Sequence, residues 1–168
     1  MKADNYFDAS WDDLVKGITG GTILLVTSIA VIVSAESDNP FLASGMIAIL
    51  TCVLILPFLW APRGYVVEAN HVVVKRLIGE MRITVADEPR RWSWTWQGIR
   101  LWASGGLYGY FGHFAFKGIG RVHMHATNRH NFVLIKDEKS QKHVVSPDHP
   151  ERFIFLLNRT TTGTTHGG

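Results

Sequence analysis

Two histidines offer metal-binding chemistry. His123 and His125 are two residues apart, and on a strand this spacing places both side chains on one face. His71, His130 and His143 could approach them across a sheet, and neutral imidazoles are common ligands of zinc and copper. No carboxylate or cysteine stands at a supporting spacing, and half-exposed histidines are common on sheets. We therefore predict no metal and no cofactor, and we keep a ligand- or metal-responsive histidine face as an alternative.

Aromatic and cationic side chains form the second candidate site. The tryptophans from Trp92 to Trp96 alternate with polar residues, which would place three indoles on one face of a strand. Amphipathic aromatic rings favour lipid headgroups and protein interfaces. The candidate interaction or membrane-contact residues are Trp92, Trp94, Trp102, Tyr108, Tyr110, Phe111, Arg90 and Arg91. A solvated basic face is the alternative for the arginines, and nucleic acid is not expected because no reading motif accompanies them.

Glycines recur within the aromatic segment, at Gly105, Gly106, Gly109 and Gly112. Glycine permits positive φ and close backbone approach, so the spacing predicts a wide structural loop whose aromatic rings cover one open end of a barrel. A phosphate-binding loop is not expected, because no Gly-Lys-Ser/Thr ending and no strand-then-helix context accompany these glycines.

Catalytic chemistry has no candidate in this chain. The single cysteine, Cys52, lies inside an apolar run, where it can neither form an intramolecular disulfide nor act as an accessible nucleophile. No triad, paired carboxylate or metal-hydrolase pattern occurs. We predict that the protein is not an enzyme.

Two apolar runs must position everything that follows them. They extend over residues 18–35 and 41–60 and are separated by the acidic turn 36–40. As helices they would span about 27 and 30 Å, roughly the thickness of a bilayer's hydrocarbon core. The sequence therefore predicts a transmembrane hairpin at 17–62. The lead-in 1–16 has helical spacing and is interpreted as an extension of the first helix with Trp11 at the membrane interface.

Charge sets the orientation of this hairpin. Residues 1–62 carry two lysines and six acidic residues, a net charge of −4, whereas residues 63–168 carry fifteen cations and eight acids, a net charge of +7. The turn between the runs has no cation, and Arg63 follows the second run directly. By the positive-inside tendency, both termini should be cytoplasmic.

Behind the hairpin the pattern is that of short strands followed by one helix. Alternation and turn residues predict about seven strands, drawn from residues 64–68, 71–77, 80–85, 92–97, 99–102, 121–128, 131–136 and 142–145. Asp148 as N-cap, with Pro150 and Glu151 after it, begins a closing helix. The domain, 63–158, should be a small antiparallel β-barrel capped by that helix, and the tail 159–168 should be disordered.

A family resemblance follows from three segments. They are Tyr65-Val66-Val67, the glycine-aromatic stretch 105–112 and residues 146–153, from Ser146-Pro147-Asp148 to Phe153. Over about Tyr65 to Leu157 the chain resembles the bacterial pleckstrin-homology (PH)-like domains that follow membrane helices. This resemblance implies a PH-like barrel with a C-terminal helix and brings no catalytic activity with it.

The chain departs from the lipid-binding members of that wider superfamily. They bind inositol phosphates with a Lys/Arg-rich loop between the first two strands, and here that loop is Glu68-Ala69-Asn70-His71. His125 also stands where a tyrosine is expected in similar sequences. A specific inositol-phosphate site is therefore not predicted.

The predicted function is a non-enzymatic, membrane-anchored interaction or scaffold module. It would be integral to the bacterial cytoplasmic membrane and would bind a protein segment or another membrane component at the cytoplasmic face. Homo-oligomerisation and a purely structural role in a larger complex stay open. The alternative from another class is a small-ligand or metal-responsive sensor that uses the His123/His125 face or the glycine-aromatic loop.

Overall fold

A computed structural model describes residues 4–93 and 98–163, with the side chains of 98–104 and 161–163 left out. Within these ranges the helices are α1 Asp13–Glu36, α2 Pro40–Trp60 and α3 Pro150–Gly163, with a 3₁₀ turn at Arg129–Asn131. The strands are β1 Tyr6–Asp8, β2 Pro62–Glu68, β3 His71–Arg76, β4 Glu80–Thr84, β5 Arg90–Arg91, β6 Gly98–Gly105, β7 Tyr110–Phe116, β8 Gly120–Ala126, β9 Val133–Lys136 and β10 Lys142–Val145.

The two apolar runs form α1 and α2, which are long and apolar enough to cross a membrane. The Asp12 side chain caps α1 by accepting a hydrogen bond from the Val15 amide. Asn39 caps α2 in the same way, and Pro40 at its first turn needs no amide partner. Only residues 37–39 separate the two helices, which pack against each other as a hairpin.

The lead-in was predicted to be helical, and this prediction is wrong for residues 4–12. Tyr6–Asp8 is strand β1, which pairs antiparallel with β2. Phe7 is 4% exposed, because its ring packs edge-on against Phe153 of the closing helix at a centroid distance of 5.2 Å. A distant partner thus overrides local helical spacing, and the helix begins only after the Asp12 cap.

Two sheets replace the predicted closed barrel. The first has the order β1-β2-β3-β4, and the second has the order β5-β9-β10-β8-β7-β6. The pairs are antiparallel except for β8 and β10, which are parallel. Val85 bridges Asp137, and the Ala86 amide donates to the Lys136 carbonyl at 3.0 Å. The sheets are joined at this corner, and the described strands do not close into a barrel.

The hydrophobic core has two parts, one on each face of the second sheet. Between the two sheets and α3, buried residues include Tyr65, Val72, Ile83, Ile135 and Phe153. The opposite face of the second sheet carries a separate cluster that includes Phe114, Met124 and Phe132, together with Val15 of α1. The base of α1 therefore completes the core of the β domain.

Two further predictions are corrected by the structure. The glycine-aromatic segment is not a wide loop, because β6 ends at Gly105, a tight turn follows and β7 begins at Tyr110. The Gly106 amide donates to the Gly109 carbonyl at 3.0 Å, and both glycines have positive φ, +124° and +138°. The tail predicted to be disordered from residue 159 is helical as far as Gly163, as a continuation of α3.

Candidate functional site

A row of imidazoles crosses the second sheet on the face that is turned toward the first sheet. His113 on β7 lies opposite His123 on β8, and His123 lies opposite His143 on β10. The ring centroids are 4.1 Å apart in the first pair and 5.3 Å apart in the second. The sequence predicted that His123 and His125 share this face. His113 was missed, because β7 was interpreted as a loop.

His125 lies deeper in the same cluster. Its ring stacks on His143 with centroids 5.9 Å apart, and its Nδ1 lies 3.2 Å from Nη2 of Arg76 on β3. Burial, helped by the positive charge of Arg76, lowers the pKa of His125 to about 3. His125 is therefore neutral near pH 7. His71 begins β3, and His130 lies in the 3₁₀ turn.

Asp137 contacts His143, the last histidine of this row. Its Oδ2 lies 3.2 Å from Nε2 of His143, and its Oδ1 accepts the Gln141 amide at 2.8 Å. Partial burial raises the pKa of Asp137, but these two hydrogen bonds outweigh it and hold the pKa below its ordinary value. Burial and then the neighbouring His113 and His143 lower the pKa of His123.

Three nitrogens of this cluster are buried and lack a hydrogen-bond partner among the described residues. They are Nε2 of His125, Nδ1 of His143 and Nε of Arg76. Buried polar atoms of this kind are uncommon and call for an explanation. In the part of the chain that the structure describes, no group of three or more His, Cys, Asp or Glu side chains is arranged to hold a metal ion.

A cleft opens beside this histidine cluster, between β4 and the turn that joins β9 to β10. Its volume is about 270 Å³. Val85, directly after β4, forms a bridge with Asp137, which also lines the cleft. The lining residues are Met81, Arg82, Ile83, Thr84, Asp137, Glu138, Lys139, Gln141 and His143. The cleft therefore has an aliphatic and imidazole floor, a mixed-charge rim and, on one side, the terminal strand of the first sheet.

The predicted aromatic contact residues lie in several places. Trp92 stacks on Phe132 with centroids 5.5 Å apart and an interplanar angle of 12°. Tyr108 and Tyr110 are buried, with 6% and 3% exposure, and Phe111 is half-buried. Both tyrosine rings are packed inside the protein, so neither is exposed to lipid. Trp94 lies outside the described residues, and of Trp102 only the backbone, on β6, is described.

The two predicted cationic contacts, Arg90 and Arg91, form the short strand β5 and are exposed. Arg91 pairs with Glu151 at 3.2 Å and donates to the His130 carbonyl at 3.2 Å. These side chains lie at the edge of the second sheet that is opposite to β6. The structure therefore does not bring them together with the glycine-aromatic turn.

The junction between hairpin and domain contains polar residues that the sequence did not single out as a site. Asp12 accepts hydrogen bonds from the Arg129 Nε at 2.9 Å and from the Arg129 amide at 3.1 Å. Thr19 Oγ1 accepts the Tyr108 amide at 2.9 Å and donates to the Gly106 carbonyl at 3.4 Å. No local pattern could predict the Asp12–Arg129 pair, since these residues are 117 positions apart in the chain.

The second helix enters the domain without a linker. α2 ends at Trp60 and β2 begins at Pro62, with Ala61 buried between them. The Phe58 ring contacts Tyr108 at a centroid distance of 5.2 Å, and the Arg63 guanidinium lies 4.5 Å from the centre of the Phe58 ring. The domain is thereby held directly against the end of the hairpin.

Comparison with known proteins gives one family. Residues 63–161 match the family model described as a bacterial PH domain. No curated protein and no solved structure matches the chain. The match begins after the hairpin, so it leaves out β1, α1 and α2.

Proposed function

Because the chain belongs to the bacterial PH domain family, we propose that it is a non-enzymatic interaction module anchored in the bacterial cytoplasmic membrane. Domains of this family are generally non-catalytic. In this proposal α1 and α2 cross the bilayer, both termini are cytoplasmic, and the domain binds an extended protein segment in the cleft beside β4.

The exposure of the two apolar helices supports the membrane anchor. In the most apolar window of α1 only 6% of residues are buried, and in that of α2 none is. A core helix of a water-soluble protein would be largely buried, whereas lipid is the solvent that suits an exposed surface of this composition. With 24 and 21 residues, the helices are about 36 and 32 Å long, which is sufficient for a bilayer.

The open edge of β4 is the observation that carries the binding proposal. β4 is the last strand of the first sheet, and the cleft lies between it and the β9–β10 turn. An extended peptide can add a strand to such an edge, with main-chain hydrogen bonds giving affinity and side-chain pockets giving specificity. Arg82, Glu138 and Lys139 line the same cleft and supply charged partners for the side chains of a bound segment.

Site-specific photo-crosslinking in native membranes tests the binding site. A photoreactive residue replaces Arg82 or Thr84, both at the cleft, or the exposed Arg121 at the start of β8 as a control. We expect one discrete protein adduct from positions 82 and 84, none from 121, and loss of the 82 adduct when Thr84→Trp narrows the cleft. Equal adducts at all three positions, or none at the cleft, would contradict the binding site.

A topology measurement tests the anchor separately. A reporter that is active only in the cytoplasm, fused after Gly168, should be active, and the chain should stay in the membrane fraction after carbonate extraction. A reporter read as external would contradict the orientation. Release of the chain into the soluble fraction would contradict the anchor itself.

A ligand-responsive sensor is the second candidate function, favoured by the unpartnered Nε2 of His125 and Nδ1 of His143. Zinc is the probe, added to the purified full chain in detergent while its melting temperature is followed. A zinc-dependent rise that is lost in a His123→Ala/His125→Ala variant would support this role. No shift in the unsubstituted chain would contradict zinc sensing.

A further inference from the structure

The turn that joins β3 to β4 exposes two adjacent aliphatic side chains. Leu77 and Ile78 are 53% and 58% exposed. Gly79 follows with φ +74°, which lets the chain reverse directly behind them. Exposed turns are usually polar, so two consecutive large aliphatic residues at this tip require an environment other than water.

The position of this tip relative to α2 indicates what that environment is. The Ile78 amide donates to the Leu59 carbonyl at 3.3 Å, and Leu59 is in the last turn of α2. The adjacent Trp60 is 50% exposed, which suits a ring at the membrane–water interface. The exposed aliphatic surface of the tip is therefore continuous with the end of a helix that our proposed function places in the bilayer.

The charges around the tip fit a lipid surface. Lys75 and Arg82 stand beside the turn and share one acid, Glu80, and Arg63 is exposed near the start of β2, just after the end of α2. Three cations against one acid give the surface around the β3–β4 turn a positive charge. Anionic lipid headgroups attract cations close to the membrane surface.

We propose that Leu77 and Ile78 insert into the boundary between headgroups and acyl chains of the leaflet that α2 leaves. This proposal rests on the proposed membrane anchor and adds a third membrane contact to the two helices. The β3–β4 turn then fixes the tilt of the domain, because the domain contacts the membrane both at the end of α2 and at this turn.

Spin labelling of the full chain in liposomes of phosphatidylethanolamine and phosphatidylglycerol tests the proposal. In a Cys52→Ser background, single variants Leu77→Cys and Ile78→Cys are labelled one at a time. Glu68→Cys is the matched control, because Glu68 is exposed at the far end of β2, about 20 Å along the strand from Pro62. The collision rates of each label with oxygen, which concentrates in lipid, and with a water-soluble nickel chelate are compared.

We expect the oxygen-to-nickel ratio to be several-fold higher at positions 77 and 78 than at 68. Ratios at 77 and 78 equal to that at 68 would overturn the proposal, as would low rates for both reagents, which would indicate a tip covered by protein. The native Cys52, exposed on α2, is labelled in a separate sample. A high, lipid-like ratio at position 52 together with low ratios at 77 and 78 would refute only the insertion of the β3–β4 turn. A low, water-like ratio at position 52 would refute the membrane anchor.

Discussion

Replacing Asp12 by asparagine should separate the charge of this residue from its capping role. The Asp12 side chain is only 2% exposed, and it pairs with the Arg129 guanidinium, which is 25% exposed. It also accepts the Val15 amide at 2.8 Å and the Tyr110 hydroxyl at 3.5 Å. Asparagine is an equally good N-cap, so Asp12→Asn keeps the start of α1 and removes the ion pair.

The size of the effect follows from the burial of the pair. Removing one partner of a buried ion pair typically costs about 3–5 kcal/mol. Because Arg129 is a quarter exposed and can regain part of its hydration, we expect the free energy of unfolding to fall by about 2–3 kcal/mol. For a chain of this length that corresponds to a decrease of about 5–10 °C in melting temperature. Asp12→Ala should lose about 1 kcal/mol more, because it also removes the cap.

Thermal unfolding of the full chain in detergent, followed by tryptophan fluorescence, measures this difference. Asp13→Asn is the matched control: it removes the neighbouring charge, which is fully exposed and pairs with the exposed Lys16. It should leave the melting temperature nearly unchanged, because exposed ion pairs contribute little to stability. Equal melting temperatures for the Asp12 and Asp13 variants would refute the reasoning that this pair couples the hairpin to the domain.

The same pair predicts a pH dependence. Burial raises the pKa of Asp12, but the hydrogen bonds from the Val15 amide and from Arg129 outweigh it and lower the pKa below its ordinary value of 3.8. The unfolded chain therefore binds the proton more tightly, and the stabilisation is present above pH 3.8 and lost as pH falls through the lowered pKa. The difference in free energy of unfolding between the native chain and the Asp12→Asn variant should therefore become smaller below about pH 4.

Three further predictions concern other contacts. Gly109→Ala should destabilise the chain by about 1–3 kcal/mol, since its φ is +138° and its Cβ would lie 2.8 Å from the Ala126 carbonyl oxygen. Gly118→Ala, with φ +90° but open space around it, should cost less in the same denaturant titration. His125 has a pKa near 3 when folded and an ordinary value of 6.5, so stability should fall as pH falls from 6.5 towards 3, and His125→Gln should flatten that part of the pH profile of melting temperature. A fragment of residues 63–168 should melt at a lower temperature than the full chain or aggregate, and a melt equal to that of the full chain would contradict the role of the N-terminal segment in the core.

Local patterns made part of the fold predictable. The two apolar runs could be assigned because a membrane helix satisfies its own backbone hydrogen bonds, although α1 begins at Asp13, before the apolar run at 18–35. Strand β10 is found at the predicted residues Lys142–Val145, since a turn at residues 137–141 precedes it and Pro147 follows it. These elements depend mainly on residues near them in sequence.

Long-range pairing made the rest unpredictable. β1 is a strand only because β2, more than fifty residues later, pairs with it. β7 contains a glycine with positive φ, Gly112, and glycine weakens any strand assignment from sequence. The cleft lies next to the Val85–Asp137 bridge, and no local sequence pattern encodes this pairing of residues far apart in the chain. The pairing of His123 with His143 likewise required the parallel register of β8 and β10.

The N-terminal segment is an integral part of the folded domain. The family match begins at residue 63, yet β1 supplies the outer strand of the first sheet and Val15, which has no exposed surface, completes the core on the far face of the second. The chain therefore enters the domain, leaves it as the α1–α2 hairpin and returns directly into β2. Because both ends of the hairpin are fixed in one folded unit, a force on either helix acts on the sheets themselves. Any movement of the domain relative to the hairpin must first break the contacts of Asp12, Thr19 or Phe58.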